Sequence, residues 1–372
     1  MNIGFDAKRI FHNQTGLGNY GRDLVRILSA HYPEHGYYLY NPKASGRKLF
    51  GLSTPNVTER LPRSRFDRTF PSVWRSSGMV HDLRKDHIEL FHGLSGELPI
   101  GLRRHGIRSV VTIHDLIFVR YPALYHIVDR TIYLRKFKHA ALHADRIIAI
   151  SEQTKQDVVA VLGVDAGKVE VIYQGCHPAF KQRYTDAEKQ AVLEKHGLPP
   201  DFILNVGTIE ARKNALVIIK AIASLDVHLV IAGKATPYLD ELKTYIEQHR
   251  LSKKVTFIHG TSIDELAKLY QSARLFVYPS LFEGFGIPII EALYSGVPVI
   301  TSNTGCFPEA AGPSSKYIPP DDVAALTQTI QTVLGDASLR MAMIAHGLDY
   351  ARRFDDAGIA RQVHSLYRAL CP

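Results

Sequence analysis

The sequence predicts an α/β fold with two domains, each a parallel sheet covered by helices on both faces. A chain of 372 residues is long enough for two domains that each have a core. Short apolar runs alternate with helix-like segments throughout, which is typical of parallel sheets built from strand–helix units. Polar or glycine-containing loops follow several apolar runs, at the sheet edge where such folds bind ligands. We expect domains of residues 1–178 and 179–354.

The composition indicates a cytoplasmic globular protein. Cys176, Cys306 and Cys371 are odd in number and far apart, which argues against a disulfide framework or a cysteine zinc site. Met1 leads directly into a strand-like run, so we expect no secretory leader. No apolar run approaches the ~18–20 residues that are needed to span a bilayer.

The net charge of +9 lies entirely in the first half of the chain. Residues 1–180 contain 25 Lys and Arg against 16 Asp and Glu, whereas residues 181–372 contain 20 of each kind. A basic half indicates a nucleic-acid, membrane or phosphorylated partner, and nucleic acid is disfavoured because no recognition motif is present. The stretch 41–78 reads either as a solvated loop and helix or as a membrane- or acceptor-facing surface. That stretch interleaves arginines and aromatic residues: Arg60, Arg63, Arg65, Phe66, Arg68, Phe70, Trp74 and Arg75.

A glycine loop follows the first predicted strand, Ile3–Asp6. Gly16 and Gly18 precede a helix that we expect to run to about Ser29. Free N–H groups at a helix start suit a phosphate, although a plain turn fits the same residues. The loop is not a nicotinamide-binding fingerprint, since the second strand, Tyr37–Tyr40, leads into Asn-Pro-Lys without the acidic residue that would hold a ribose.

His114 follows the predicted strand Arg108–Ile113 and so stands at the ligand edge of the sheet. A His-Asp pair in this position serves either a ligand or the loop itself. Other histidines have the spacing of metal ligands but no third ligand close in sequence, so we predict no metal centre from them. These are the pairs His31 with His35 and His139 with His143.

The second half repeats the strand–loop–helix pattern. A strand over Phe202–Val206 leads to Thr208, and Arg212 and Lys213 then precede an apolar helix. Adjacent cations at such a junction can neutralise a diphosphate leaving group, because negative charge builds on the phosphate that departs. A solvated helix start is the alternative interpretation.

The most informative stretch is Ser280–Leu293, which follows an apolar run predicted to be a buried strand. It combines a Gly-Phe-Gly turn with a proline that suits the first turn of a helix. Glu283 falls in the loop and Glu291 about one turn inside the helix, and at ~1.5 Å rise per residue both can face one crevice. Taken singly, a glutamate early in a helix is more often a partner of the helix dipole.

These motifs resemble the retaining glycosyltransferases of family four, which have the GT-B fold: two Rossmann-like, doubly wound domains facing a cleft. The family signature is Glu, seven residues, Glu, with Gly-Phe-Gly after the first Glu. The Ser-x-x-Thr-Lys-x-Asp pattern at 151–157 and the turn at 304–309 are also similar to family landmarks. Two positions depart from the pattern, since Thr208 replaces an arginine and Cys306 replaces a glycine. The final helix, 355–372, resembles one that returns to the first domain.

The resemblance implies a role for each motif. It implies that the first domain takes the acceptor and the second the nucleotide sugar. Donor binding is expected from Gly16, Thr208, Arg212, Lys213, Ile258, Gly284, Phe285, Gly286 and Glu291, and catalysis from His114, Glu283 and Lys213. No Asp-x-Asp occurs, so we expect no metal, and no cofactor is expected because the nucleoside diphosphate sugar is a substrate.

The expected function is retaining transfer of a hexose to an acceptor hydroxyl in cell-surface polysaccharide or glycolipid assembly. The chain looks like bacterial mannosyltransferases, which favours GDP-mannose as donor, with a UDP-sugar second. The expected acceptor is a glycan or a polyprenyl-diphosphate-linked acceptor, and a basic first half suits the second of these. We expect a cytoplasmic protein with peripheral contact to the inner face of an anionic membrane. Two other classes stay open, namely an epimerase or phosphorylase on the same fold and a non-catalytic nucleotide-sugar binder.

Overall fold

The chain forms two compact units in a computed structural model that describes residues 1–45, 51 and 54–372. Unit 1 comprises Met1–Gly175 and Asp355–Pro372, and unit 2 comprises Cys176–Phe354. The boundary between them therefore falls three residues before the predicted one at residue 178.

Unit 1 is built on one parallel sheet. Its strands are β1 (Asn2–Asp6), β2 (Gly36–Tyr40), β3 (Val57–Arg60), β4 (Leu90–Gly93), β5 (Arg108–Ile113), β6 (Arg146–Ala149) and β7 (Val169–Val171). Their order is β3-β2-β1-β4-β5-β6-β7, and each neighbouring pair is parallel. The strand order reverses between β1 and β4, which is the position where doubly wound sheets bind ligands.

The first eight helices lie between these strands. They are α1 (Lys8–His12), α2 (Gly16–His31), α3 (Arg65–Thr69), α4 (Pro71–Val73), α5 (Met79–Lys85), α6 (Ile117–Arg120), α7 (Ile127–His143) and α8 (Glu152–Leu162), with a π-helical segment, Trp74–Gly78, joining α4 to α5. The apolar face of α2 is buried as its spacing predicts, but the helix runs two residues beyond the expected Ser29. In β5 every residue after Arg108 is buried, as expected for a strand covered on both faces.

Unit 2 repeats the architecture. Its strands are β8 (Phe202–Val206), β9 (His228–Ala232), β10 (Val255–Ile258), β11 (Leu275–Tyr278), β12 (Val299–Ser302) and β13 (Lys316–Ile318), in the parallel order β10-β9-β8-β11-β12-β13. Its helices are α9 (Asp186–His196), α10 (Ala215–Ala221), α11 (Tyr238–Gln248), α12 (Ile263–Ser272), α13 (Ile287–Ser295), α14 (Phe307–Ala311), α15 (Val323–Gly335) and α16 (Ala337–Ala351). The switch point of this sheet lies between β8 and β11.

The last helix, α17 (Asp356–Leu370), belongs to unit 1 and packs on α2. Asp355 caps it by accepting a hydrogen bond from the backbone of Gly358, and an Arg26–Asp356 ion pair (2.8 Å) ties it to α2. Its buried Tyr367 hydroxyl lies 2.6 Å from His92 Nδ1 on β4. The helix thereby covers one face of the first sheet.

The arginine- and aromatic-rich stretch does not form one exposed surface. Trp74 is fully buried and donates to Asp82, and Arg75 is held in an ion pair by Asp6. Phe66 and Phe70 are 61% and 50% exposed and pack on each other. The interpretation of the stretch as a surface is therefore wrong for Trp74 and Arg75, while residues 46–50, 52 and 53 lie outside the described residues.

Across the described ranges 1–45, 51 and 54–372, no helix has the length and apolar character needed to cross a bilayer.

Candidate active site

Two loops of unit 2 meet at the switch point, one after β8 and one after β11. The backbone N–H of Leu281 donates to the carbonyl of Arg212 (2.9 Å), which joins the loops. Asn214 adopts a left-handed conformation (φ 60°) and donates to the carbonyls of Pro279 (3.1 Å) and Pro320 (2.5 Å). Asparagine tolerates this conformation better than most residues, so Asn214 ends the short 3₁₀ turn Ala211–Lys213 and fixes its two cations.

Glu283 is the centre of the site. Its Oε1 accepts from Lys213 Nζ (2.6 Å) and lies 2.7 Å from Arg212 Nη1. The Tyr278 hydroxyl donates to the same oxygen (3.1 Å) and accepts from Lys213 (2.6 Å). Arg212 also reaches Glu210 (2.6 Å), whose side chain is 38% exposed, and the carbonyl of Phe282. Glu283, Arg212 and Lys213 therefore lie together in unit 2.

Burial and charge act against each other in this cluster. Burial alone would raise the pKa of Glu283, but Lys213 and Arg212 outweigh it and hold that pKa below the ordinary value. Burial likewise works to lower the pKa of Lys213, and Tyr278 and Glu283 overcome it and raise that pKa. The carboxylate and both cations are therefore charged at neutral pH, in a setting where charge is weakly screened. The two cations are suited to bind a diphosphate or to stabilise negative charge that develops on one.

A cysteine side chain contacts the backbone of the glycine turn that follows Glu283. The thiol of Cys306 lies 3.2 Å from the carbonyl of Glu283 and 3.1 Å from that of Phe285, to which it donates. Phe285 is 2% exposed and its ring packs on Phe354. Any ligand contact of Phe285 is therefore made by its backbone. Gly286 has φ 106°, where a side chain would be strained, and precedes the first residue of α13.

Glu291 lies on α13 and accepts a hydrogen bond from the Tyr270 hydroxyl (3.0 Å). Burial raises the pKa of Glu291 to about 7, a shift that the Tyr270 hydrogen bond only partly offsets. Protonated and ionised forms of Glu291 are therefore both accessible near neutral pH. The side chain can accept or donate a hydrogen bond, which suits a pair of vicinal hydroxyl groups.

Thr208 and Ile258 stand at the ends of β8 and β10. Thr208 is half-buried and follows Gly207, whose φ is 151°. The carbonyl of Ile258 accepts from the backbone of Gly233 (2.9 Å). A Cβ on Gly233 would lie 1.8 Å from the carbonyl oxygen of Gly207, so only glycine lets the two loops approach this closely.

His114 lies in unit 1 at the end of β5 and is 9% exposed. Its Nε2 donates to the carbonyl of Leu94 (2.9 Å), and its Nδ1 is 3.4 Å from the Gln174 amide nitrogen. The rings of Tyr20 and His114 pack in a T-shaped arrangement. Burial lowers the pKa of His114 to about 4, so the imidazole is neutral and fixed in orientation at neutral pH.

Gly16 is the exposed first residue of α2, and a Cβ there would meet no atom within 4 Å. The neighbouring glycines are more constrained, since a Cβ on Gly18 would lie 2.0 Å from the carbonyl oxygen of Asn13. Sterically, Gly18 is thus the position that requires glycine, and Gly16 leaves open space at the helix start.

Sequence reasoning missed the residues that support the site. Tyr278 bridges Lys213 and Glu283, Tyr270 holds Glu291, and Gln174 holds His114. Tyr278 closes a predicted buried strand directly before the loop, and a hydroxyl at that position is a signal that could have been used.

Two family models match the chain. The model of Glycosyltransferase Family 4 matches residues 15–180, and that of Glycosyl transferases group 1 matches residues 187–349.

Similar proteins include O-antigen chain mannosyltransferase B of Escherichia coli, 28% identical over the whole of both chains. O-antigen chain mannosyltransferase RfbU of Salmonella typhimurium is 30% identical over 66% of this chain and 65% of its own length. The serotype-specific mannosyltransferase WbdA of Escherichia coli is 30% identical over 73% of this chain, which spans about a third (35%) of that longer protein.

Solved structures share the fold of the chain. Sucrose-phosphate synthase from Thermosynechococcus elongatus has a TM-score of 0.82 at 23% identity and covers 100% of this chain and 99% of its own. Anabaena Alr3699/HepE in complex with UDP has a TM-score of 0.78 at 17% identity and covers 99% of each chain. Together with the two sheet orders, these likenesses confirm the predicted fold class of two Rossmann-like, doubly wound domains.

Proposed function

The chain belongs to glycosyltransferase family 4 and is a hexosyltransferase of the GT-B fold, and we propose that it transfers mannose from GDP-mannose to a glycan hydroxyl with retention. The contact of Lys213 and Arg212 with Glu283 carries this proposal. The bond to the anomeric carbon breaks as negative charge builds on the diphosphate, and two adjacent cations stabilise that charge. Unit 2 is accordingly assigned to the donor and unit 1 to the acceptor.

Lys213 and Arg212 bind the diphosphate in this proposal. Arg212 presents a planar fork that suits two phosphate oxygens, and Lys213 acts as a point charge. Among the described residues, Lys213 donates hydrogen bonds to Tyr278 and Glu283, which leaves the third of its N–H groups for a ligand. Thr208 and Gly16 add hydrogen bonds to the phosphates, and the Gly284–Gly286 backbone lets the donor approach closely.

Glu283 binds hydroxyl groups of the sugar and is not a covalent nucleophile. Its Oε1 is shared by two cations and a phenol, which reduces its basicity. A retaining glycosidase that uses a carboxylate nucleophile needs a second carboxyl group about 5 Å away around the bond. We assign same-face attack instead: the acceptor oxygen bonds to the anomeric carbon, the bond to the phosphate breaks, and the acceptor proton passes to the leaving phosphate.

Glu291 binds the ribose hydroxyls, and the backbone around Ile258 contacts the base. The burial of Glu291, which raises its pKa to about 7, supports its assignment to uncharged hydroxyl groups.

His114 contributes to the same reaction as a neutral hydrogen-bonding group. Its pKa of about 4 makes it a poor proton carrier at neutral pH. Since Nε2 is engaged by Leu94, Nδ1 is the atom available to a sugar hydroxyl once Gln174 yields its long contact. We therefore expect loss of orientation of the sugar, and no change of pH profile, when His114 is replaced.

The names of the relatives support mannose as the transferred sugar and O-antigen-type polysaccharide assembly as the setting. Transfer from a UDP-sugar is the alternative, since a structural neighbour was solved with UDP-glucose. Thermal unfolding in the presence of GDP-mannose, GDP, UDP-glucose or UDP distinguishes the two donors, because a ligand that binds the native state raises the midpoint of unfolding. A shift with UDP-glucose and none with GDP-mannose would overturn the mannose assignment.

The acceptor is a glycan or a polyprenyl-diphosphate-linked glycan, reached at the inner face of an anionic membrane. The exposed pair Phe66 and Phe70 with Arg65 and Arg68 supports this peripheral contact. Sedimentation with phosphatidylglycerol vesicles is expected to carry down the wild type and less of a Phe66→Ser/Phe70→Ser variant. Equal sedimentation of both proteins would contradict the assignment of this surface.

Catalysis requires neither a metal nor a cofactor in this proposal, because Lys213 and Arg212 supply the charge that Mg²⁺ supplies elsewhere. Turnover is therefore expected to be the same with excess EDTA as with Mg²⁺. Loss of turnover with EDTA, restored by Mg²⁺, would show this part to be wrong.

Simple assays distinguish the proposed transfer reaction from two functions of other classes. An epimerase or phosphorylase gives an isomer or a sugar phosphate from the donor without acceptor. A non-catalytic binder is stabilised by the donor but gives no transfer, and a Glu283→Ala variant then leaves the cellular glycan unchanged. The proposal predicts acceptor-dependent release of GDP that Glu283→Ala abolishes.

A further inference from the structure

Three side chains with metal-binding atoms meet in unit 1. Glu34 and His35 lie between α2 and β2, and His364 lies on α17. His35 Nε2 is 3.0 Å from His364 Nε2 and 3.6 Å from Glu34 Oε1. One ligand atom from each of the three lies within 4.8 Å of the others. None of them is assigned to the donor, the acceptor or catalysis.

The separation of the two imidazoles is close to that of two ligands that share one ion. With Zn–N bonds of about 2.05 Å and a tetrahedral angle, two imidazole nitrogens lie about 3.3 Å apart and their ring centres about 5.2 Å apart. The observed distances are 3.0 Å and 5.1 Å. We propose that Glu34, His35 and His364 bind a divalent transition-metal ion, with Zn²⁺ the best match to two imidazoles and a carboxylate.

The rings are prepared for this role by their surroundings. The ring of Tyr32 stacks on His364 with centroids 3.7 Å apart and fixes its orientation. The Met1 nitrogen lies 3.3 Å from His35 Nδ1, so Nε2 is the atom that faces the other two ligands.

The charges facing the rings are mixed. Glu34 favours a bound cation, whereas Arg368 and the Met1 amino group oppose one. Glu34 is exposed and His364 is half-buried, so water can complete the coordination. The ion would be open to solvent, which predicts exchangeable binding.

A bound ion would join α17 to a loop 329 positions earlier in the chain. Since the unfolded chain cannot hold these ligands together, binding stabilises unit 1 with α17 in place. The sequence indicated only His35 with His31, at helical spacing. The fold instead brings His364 to His35 and the adjacent Glu34, which completes a set of three ligands.

The test uses full-length protein without a polyhistidine tag, treated with EDTA and then titrated with Zn²⁺. We expect one zinc per chain by elemental analysis, and a thermal midpoint about 5 °C or more higher at a hundredfold excess over Kd. His364→Gln and Glu34→Gln are each expected to weaken zinc binding at least tenfold. The rings of His139 and His143 on α7 also lie close together, with centroids 4.3 Å apart. The double variant His139→Ala/His143→Ala is therefore the matched control, and it should keep the rise of the thermal midpoint with zinc.

A wild-type protein that binds no zinc overturns the site, as do variants that bind it as tightly as the wild type. If the control loses the effect and His364→Gln keeps it, zinc binds on α7 and the proposal is wrong. Should His364→Gln fail to fold, the exposed Glu34→Gln variant decides alone.

Discussion

Replacing Lys213 by methionine removes the ammonium group that contacts both Glu283 and Tyr278 while keeping a side chain of similar length. The Lys213–Glu283 contact of 2.6 Å corresponds to an attraction of about 6 kcal/mol at an effective dielectric constant of about 20. The cost of burying both charges offsets much of this. Arg212 still lies 2.7 Å from the same oxygen, so Glu283 keeps one cation. We therefore expect the free energy of unfolding to fall by about 1–3 kcal/mol, less than the ~3–5 kcal/mol for a carboxylate left unpaired.

The effect of Lys213→Met on activity should be larger than its effect on stability. Removing one group aimed at developing charge typically costs 10²–10³-fold, so we expect kcat/KM to fall by about that factor. Urea unfolding gives the stability, and acceptor-dependent GDP release gives the rate. The matched control is Lys243→Met, an exposed lysine on α11 of the same unit, which should change neither. A folded Lys213→Met enzyme that keeps more than a tenth of the wild-type kcat/KM would refute the reasoning.

Three further predictions concern the same unit. Burial raises the pKa of Glu291 to about 7 from an ordinary value of 4.5, so its contribution to stability is complete below pH 4.5 and is lost as the pH rises through 7. Glu291→Gln should therefore be about 1–3 kcal/mol more stable than the wild type at pH 8 and equal to it near pH 4.5. Urea unfolding that gives the same difference between the two proteins at both pH values would contradict this. Tyr278→Phe should lower kcat/KM about tenfold by removing the hydroxyl hydrogen-bonded to Lys213 and Glu283, with a change in unfolding free energy of about 1 kcal/mol, and unchanged kinetics would count against a role for that hydroxyl. Gly233→Ala should cost more than ~3 kcal/mol because its Cβ would lie 1.8 Å from a carbonyl oxygen, whereas Gly335→Ala, with open space around it, should be neutral in the same assay.

The fold was predictable because both units consist of apolar strands that alternate with helices. Runs such as Leu275–Tyr278 are buried at every position, and the periodicity of α2 marks its buried face. The switch-point loops were predictable for the same reason, since a loop after a buried parallel strand must reach one edge of the sheet. Lys213 and Glu283, 70 positions apart, could be placed in one site on that basis.

The partners of the site residues could not be found from local pattern. Gln174 contacts His114 across 60 positions, and Asn214 contacts a carbonyl 106 positions away. Such pairs depend on how the loops pack, which no local spacing encodes. The surface prediction was wrong for Trp74 and Arg75 for a related reason. A basic, aromatic stretch resembles an exposed surface, but the helical segment that contains these two residues directs their side chains into the protein.

The most direct test of the central claim is a crystal structure with bound GDP. The claim predicts that the Lys213 ammonium and the Arg212 guanidinium lie within hydrogen-bond distance of the diphosphate oxygens, with the ribose hydroxyls on Glu291. A diphosphate bound elsewhere on the chain, with Lys213 still paired to Glu283 as in the free protein, would contradict it.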